Sequence, residues 1–371
     1  MRILFVAGGT GGHIFPCLAI KKEIERTLER LRLPLKFEAL FLISGSVKSV
    51  EEELKKNQIK FSKIPEVKFR RYFSLENFLD FFKLPFCFLK SLFYLWISMP
   101  DLIFSKGGSS SWIVVLIGYF LGIPIILHES DWEPGWSNRI SSIFAKKILI
   151  SFKDTSEFFN PKKVVYSGLP LREKFLNPKF EKDLIPLVGD RKTVLFLGGS
   201  QGAQLINELL INAILKYTDN FEIIHICGDI HFRELNLLSR GILTKERLKY
   251  YHLYPFLEEE KLAFAMLRSD LAVVRGGGGT LFELAALGKP AIILPLEGSA
   301  NDHQRKNAYF FREKGGAIVL EGENLTPNFL FAKVKDIIQN KKMLAKMSQA
   351  MKQLGTQEGT RIVLKTIFEY I

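Results

Sequence analysis

Short apolar runs, each closed by glycine or a polar turn, alternate along this chain with stretches whose apolar residues recur every three or four positions. The first run, Ile3 to Val6, enters Gly8-Gly9-Thr10-Gly11-Gly12, after which Leu18, Ile20, Ile24 and Leu28 fall on roughly helical spacing. This pattern predicts a strand, a glycine turn and a helix. It recurs about half a chain later, where Thr193 to Leu197 enters Gly198-Gly199-Ser200-Gln201-Gly202-Ala203 and Leu205, Ile206, Leu209 and Leu210 carry the next helix. Further apolar runs predict strands over 101–104, 125–127, 148–150, 164–166, 222–227, 271–274 and 291–294. Strands alternating with helices make parallel sheets covered on both faces. The expected fold is therefore α/β, with two doubly wound domains. Gly168 and Pro170 place the join near 167: residues 1–167 form the first domain and 168–355 the second, with a last helix over about 356–371 packing back on the first. Ligands of such sheets bind beyond the carboxyl ends of the strands, which makes the cleft between domains the expected site.

The stretch from Gly107 to Leu127 carries no charge and is long enough to test as a membrane span. Gly107-Gly108-Ser109 opens a helix, Gly122-Ile123-Pro124 ends it and Ile125 to Leu127 starts a strand, so the expectation is a buried helix followed by a buried strand. Met1 to Val6 meets Gly8 and Gly9 too soon for the apolar region of a signal peptide, and no secretion signal is expected. The three cysteines, Cys17, Cys87 and Cys227, lack both disulfide-framework and zinc spacing, which fits a reducing compartment. With 371 residues, 47% hydrophobic and 25% charged, the chain has ample material for packed cores, and disorder is excluded. Lys plus Arg exceed Asp plus Glu by 13, so the expected partner is anionic: nucleic acid, an acidic membrane face or a phosphorylated substrate.

The first glycine turn fits neither common nucleotide pattern. Gly9 and Gly11 are followed by His13 or Ile14 where a third dinucleotide-fold glycine would fall, and no Gly-Lys-Ser/Thr is present. Its glycines either make only a tight turn or let an anion approach the free N–H groups at a helix N-terminus. His13 stands at the mouth of the turn, with Pro16 suited to the first turn of the helix; it is either a cap or a base for a substrate hydroxyl. The most informative stretch is Arg275-Gly276-Gly277-Gly278-Gly279-Thr280-Leu281-Phe282-Glu283. A strand empties into four glycines, a helix begins near Thr280 and stops at Gly288, and backbone amides there suit a diphosphate. Glu283 is then either an exposed helix residue or an acceptor for two neighbouring ribose hydroxyls.

Taken together, Gly8 through Pro16, His128-Glu129, Pro134-Gly135 with Asn138, Gly198 through Ala203, Arg275 through Glu283, Asp302-His303-Gln304 and Asn307-Ala308 resemble the MurG family in order over nearly the whole chain. These are GT-B glycosyltransferases that add N-acetylglucosamine (GlcNAc) to lipid I in peptidoglycan synthesis. The resemblance implies two substrates, UDP-GlcNAc and undecaprenyl-pyrophosphoryl-MurNAc-pentapeptide, with no cofactor and no metal. It implies donor contacts from Thr10, Gly11, Gly12, Arg172, Ser200, Gln201, Gly202, Arg275, Gly277, Gly278, Thr280, Glu283 and Gln304. Gly11, His13 and Asn138 would face the acceptor, with His13 the candidate general base. It further implies peripheral work at the cytoplasmic face of the plasma membrane, with room for contacts to other cell-wall synthesis proteins. Four positions, Ser130, Asp131, Leu169 and Arg305, depart from the family pattern. Glu129-Ser130-Asp131 replaces the usual Glu-Gln-Asn, Leu169 stands where Asn commonly precedes Pro170, and Arg305 replaces a glutamine. They bear on the acceptor side more than on the donor pattern.

Aromatic residues crowd 69–96, and Leu75, Phe78, Leu79 and Phe82 share a helical face bordered by Lys68, Arg70, Arg71, Lys83 and Lys90. Such a segment is either a buried helix pair or an amphipathic face lying on an anionic membrane surface; a lipid-linked acceptor favours the membrane, through Arg70, Arg71, Phe78, Phe82 and Lys83. Two other functions remain open to test: another UDP-sugar enzyme of the same fold, such as a UDP-GlcNAc epimerase, and a nucleic-acid-binding protein. No basic cluster interleaves with a recognisable RNA or DNA motif, so nucleic acid is not the expected partner.

Overall fold

The computed structural model of the chain describes residues 1–32, 34–45, 48–67, 75–198, 203–322, 324–355 and 358–371. They form two compact units, one of Met1–Leu171 with Glu358–Ile371 and the other of Arg172–Gln357. The first unit reaches beyond Ser167 because Leu169 and Leu171 are buried and the carbonyl of Gly168 accepts from His128 Nε2. Its seven strands are β1 (Arg2–Gly8), β2 (Glu38–Ser44), β3 (Phe61–Ile64), β4 (Leu102–Ser105), β5 (Ile125–Glu129), β6 (Lys147–Ile150) and β7 (Val164–Tyr166). They pair in parallel in the order β3-β2-β1-β4-β5-β6-β7.

Strand β1 is buried on both faces, which is why its sequence is a continuous apolar run rather than an alternation. Ile3 and Phe5 pack with Ile14, Cys17, Ile20 and Ile24 of the helix Gly11–Arg30 and with Val363 and Ile367 of the last helix, Gly359–Phe368. Leu4 and Val6 pack on the other side with Ile113, Val114 and Ile117 of the helix Ser111–Phe120. The uncharged stretch from Gly107 thus folds as a helix and then β5, both largely buried. The first helix begins at Gly11, so Pro16 lies inside it rather than in its first turn, and the Gly12 carbonyl has no intrahelical donor there.

The second unit holds β8 (Thr193–Leu197), β9 (Glu222–Ile226), β10 (Tyr251–Tyr254), β11 (Leu271–Val274), β12 (Ala291–Ile293) and β13 (Ala317–Val319), parallel in the order β10-β9-β8-β11-β12-β13. Val194 and Phe196 of β8 anchor its core against the helices Gln204–Ile211 and Pro327–Gln339. In both units the glycine turns stand at the carboxyl ends of the central strands.

Candidate functional site

In the first unit, the turns after β1 and β4 lie backbone to backbone. Gly107 and Gly108 adopt φ of +88° and +116°, and a Cβ on Gly108 would fall 2.5 Å from the Gly8 nitrogen, so only glycine permits this contact. A Cβ on Gly11 would meet the Phe15 ring at 2.7 Å, whereas Gly12 faces open space. Thr10 is the N-cap residue of the first helix, and its Oγ1 lies 3.0 Å from His13 Nδ1. When Nδ1–H donates to that hydroxyl oxygen, the Nε2 lone pair is left to take a proton.

Glu129, at the end of β5, organises the neighbouring loop. Its Oε1 accepts from Ser130 N at 2.8 Å and Asp131 N at 3.0 Å, and its Oε2 accepts from Gly135 N at 3.3 Å and Asn138 Nδ2 at 2.8 Å. Burial, with Asp131 nearby, pushes its carboxyl up to about 6 against the pull of these bonds. Asn138 is buried, and its Oδ1 lies where a Cβ on Gly107 would come within 2.8 Å. Ser130 Oγ accepts from the Lys106 ammonium, which also sits 2.8 Å from His128 Nδ1.

In the second unit, Gly277 caps the helix Gly278–Ala286, and a Cβ on either Gly277 or Gly279 would meet nothing within 4 Å. No neighbouring atom stands where side chains would be on these two glycines of the helix N-terminus. The turn beneath is pinned: a Cβ on Gly276 would fall 2.2 Å from the Gln304 carbonyl oxygen, and Asn307 Nδ2 donates to the Gly276 carbonyl at 3.0 Å. Glu283 is buried on that helix and accepts from Arg172 NH2 at 2.7 Å, while the Arg172 guanidinium stacks over Phe175. Burial pushes the Glu283 carboxyl up even with the guanidinium at hydrogen-bond distance, so desolvation outweighs the ion pair. Arg275 donates to the carbonyls of Leu294 and Pro295, and Gln304 Oε1 accepts from Leu296 N. These contacts hold the loop after β12 beside the glycine turn. Asn301 and Asp302 both adopt left-handed backbone, φ +55°, at a cost of about 1–3 kcal/mol each, as ligand-clamping segments often do.

Arg172, Arg275, Gly277, Gly278, Thr280, Glu283 and Gln304 therefore all lie in the second unit, while Thr10, Gly11, Gly12, His13 and Asn138 lie in the first. Ser200, Gln201 and Gly202 lie outside the described residues, as do Arg70 and Arg71. Phe78, Phe82 and Lys83 fall on one long helix, Leu75–Ser98, rather than on a buried pair. Phe78 is 64% and Phe82 55% exposed, with ring centroids 4.9 Å apart, and Lys83 pairs with Asp80 at 2.7 Å. Among the described residues, Asp80–Ser98 of this helix is the one span long and apolar enough to cross a membrane. The expectation that considered only 107–127 overlooked it.

Residues 3–150 match the glycosyltransferase family 28 N-terminal domain, and residues 193–361 match the family 28 C-terminal domain. The chain belongs to glycosyltransferase family 28. Relatives in this family include a protein of Treponema denticola, 34% identical over 99% of this chain and 97% of its own length. A protein of Bacillus cytotoxicus is also 34% identical, over 97% and 96%. Both are named UDP-N-acetylglucosamine–N-acetylmuramyl-(pentapeptide) pyrophosphoryl-undecaprenol N-acetylglucosamine transferase. Among solved structures, Acinetobacter baumannii MurG shares the fold at a TM-score of 0.72 and 24% identity, covering 99% of both chains. A Listeria monocytogenes protein described as a putative UDP-N-acetylglucosamine 2-epimerase shares it at 0.72 and 16%, covering 99% of this chain and 95% of its own.

For this family 28 glycosyltransferase, two features of the site escaped sequence reasoning. The Arg172–Glu283 pair joins residues 111 positions apart, and no local pattern announces it. Lys106, between the apolar β4 and two glycines, reads as an ordinary turn cation; its only sequence signal is a charge at the carboxyl end of a strand buried throughout.

Proposed function

We propose that this family 28 enzyme transfers GlcNAc from UDP-GlcNAc to the C4 hydroxyl of MurNAc in undecaprenyl-pyrophosphoryl-MurNAc-pentapeptide, with inversion, forming lipid II and UDP. The observation that carries the donor half is the helix Gly278–Ala286, which has open space where side chains would stand at Gly277 and Gly279 and whose buried Glu283 stands one turn further on. Such an N-terminus stabilises the diphosphate and the charge that grows on it as the glycosidic bond breaks. Arg172 occupies Glu283 Oε1 and leaves Oε2 to accept from the ribose hydroxyls. Gln304 lies toward the sugar.

On the acceptor side, His13 Nε2 takes the C4 proton as that oxygen bonds to the anomeric carbon and UDP departs with the electrons of the broken bond. Thr10 Oγ1 holds the productive tautomer. Asn138, fixed through its amide to Glu129, offers its Oδ1 to the acceptor. The exposed aromatic side of the helix Leu75–Ser98 docks on the cytoplasmic leaflet, where the acceptor is anchored, in keeping with the net charge of +13. The full-length relatives at 34% identity that carry the transferase name support this substrate pair.

The test is UDP release by purified protein with UDP-GlcNAc and a lipid I analogue. Release that depends on the acceptor, falling in His13→Ala while UDP affinity holds, is the expected result. Interconversion of UDP-GlcNAc without any acceptor would point to an epimerase instead, and folded protein with no acceptor-dependent turnover would overturn the assignment.

A further inference from the structure

Behind the paired turns of the first unit lies a buried cation for which the transferase reading has no use. Lys106 follows β4, its backbone N–H bonds to the Val6 carbonyl at 2.8 Å, and the residue is only 2% exposed. Its ammonium meets His128 Nδ1 and Ser130 Oγ. An ammonium offers no lone pair, so Nδ1 accepts and Nε2–H donates to the Gly168 carbonyl at 3.0 Å. This makes His128 neutral, and burial together with the Lys106 charge holds its pKa well below the ordinary value. Ser130 is one of the departures from the family pattern, and a longer side chain there would have to displace the ammonium.

Among the described residues, the charge at Lys106 has no carboxylate in contact with it. Glu129 spends its oxygens on the loop amides and Asn138, and it acts on Lys106, as Asp131 does, only through space. From the first helix comes Cys17, whose thiol burial pushes up to about 12 and so keeps neutral. Directly above Lys106 in the chain are Gly107 and Gly108, the turn that lies against Gly8.

We propose that Lys106 is a positioning residue for the acceptor: its charge, acting through the weakly screening interior rather than by contact, holds a diphosphate at the turns Gly8–Gly12 and Gly107–Gly108. The inference rests on the transferase reading for the identity of the anion. A unit charge in a buried setting is felt several times more strongly than in water. Burial pulls the Lys106 ammonium down to about 8 in the free protein, and a bound anion pulls it back up. Binding the anion therefore takes up a proton above that pH, so affinity is full below about 8 and falls as pH rises through it. Glu129, at about 6, and Cys17, at about 12, titrate outside this window.

The experiment is steady-state kinetics from about pH 7 to about pH 9.5, with acceptor and donor varied separately, on the wild type and on Lys106→Met. Acceptor KM should rise about tenfold across this range in the wild type. In Lys106→Met it should already be about tenfold high at neutral pH and flat, with kcat and the KM for UDP-GlcNAc within about twofold. A purely structural lysine would change kcat or donor KM as well, or leave no pH dependence to remove. Calorimetry on the wild type with UDP saturating and dimethyl diphosphate as probe, methylated once on each phosphorus so that its own charge stays constant, gives a reading that needs neither variant nor turnover. Binding should weaken about tenfold at the higher pH, with proton uptake. If no acceptor turns over but this binding persists, the transferase reading falls and the role of Lys106 stands. A flat wild-type profile, an unaltered acceptor KM in a folded Lys106→Met, or probe binding that is absent or pH-independent overturns the proposal.

Discussion

Glu283 and Arg172 form a buried pair whose cost to the fold can be read from the carboxyl. Burial raises the carboxyl pKa despite a guanidinium at 2.7 Å, so the pair does not recover all of its lost hydration. In the proposed donor site, a ribose hydroxyl arriving at Glu283 Oε2 would restore part of it. Glu283→Gln keeps an acceptor oxygen for Arg172 and removes the charge, and should weaken UDP-GlcNAc binding by about 1.5–3 kcal/mol in calorimetry, at a smaller cost to the fold than truncation because the hydrogen bond to Arg172 is kept. Unchanged affinity would take Glu283 out of the site. Glu283→Ala is the poorer probe, since it strands a buried guanidinium at a cost of about 3–5 kcal/mol to the fold. Glu283 was singled out in the sequence by the four glycines before it and Arg172 by the family resemblance; their pairing was not legible, because side-chain contact across 111 residues leaves no periodic trace. The same holds for Lys106, which is polar in sequence and buried in fact.

The helix Leu75–Ser98 carries apolar residues on more sides than a core helix can bury. Pro85 lies within it, and an apolar cavity of about 400 Å3, lined in part by Pro85, Phe88, Trp112 and Leu116, opens between it and the helix Ser111–Phe120. Phe78 and Phe82 are more than half exposed, so replacing both with Ser removes about 1.5–3 kcal/mol of burial per ring from the proposed membrane-bound state and less from the folded protein. Sedimentation with anionic vesicles should then fall by at least tenfold, and activity should fall on a long-chain acceptor but not on a soluble short-chain one. Equal loss on both acceptors, or unfolding, would return these rings to the core. The strands were readable to very different degrees for a related reason. Central strands such as β1, β4 and β11 are buried on both faces and read as unbroken apolar runs. The edge strands β3 and β10 are only partly buried and mix polar with apolar residues, so no run marks them, whereas β13 went unread although Ala317 to Val319 are all apolar. Strand β2 also went unread, although five of its seven residues are buried.

The chain leaves its first unit after Leu171 and returns to it after Gln357, so the stability of the amino-terminal sheet depends on the last residues of the sequence. Val363 and Ile367 of the helix Gly359–Phe368 are fully buried beside Ile3, Phe5 and the helix Gly11–Arg30. A Cβ on Gly359 would fall 2.8 Å from the Leu169 carbonyl oxygen, so the start of that helix lies directly against the end of the first segment. Leu169, where the family pattern has a polar residue, is itself buried there. Ile367→Ala empties a fully buried site and should cost about 2–5 kcal/mol. Because the cavity belongs to one core, hydrogen exchange should quicken in β1 and the helix Gly11–Arg30, while amides of β8 and β11 keep their protection. Removing Glu358–Ile371 should act in the same direction and further. Loss of protection in β8 and β11 to the same degree would mean that the two units unfold as one, and unaltered exchange in β1 would mean that the last helix is only a passenger on the first unit.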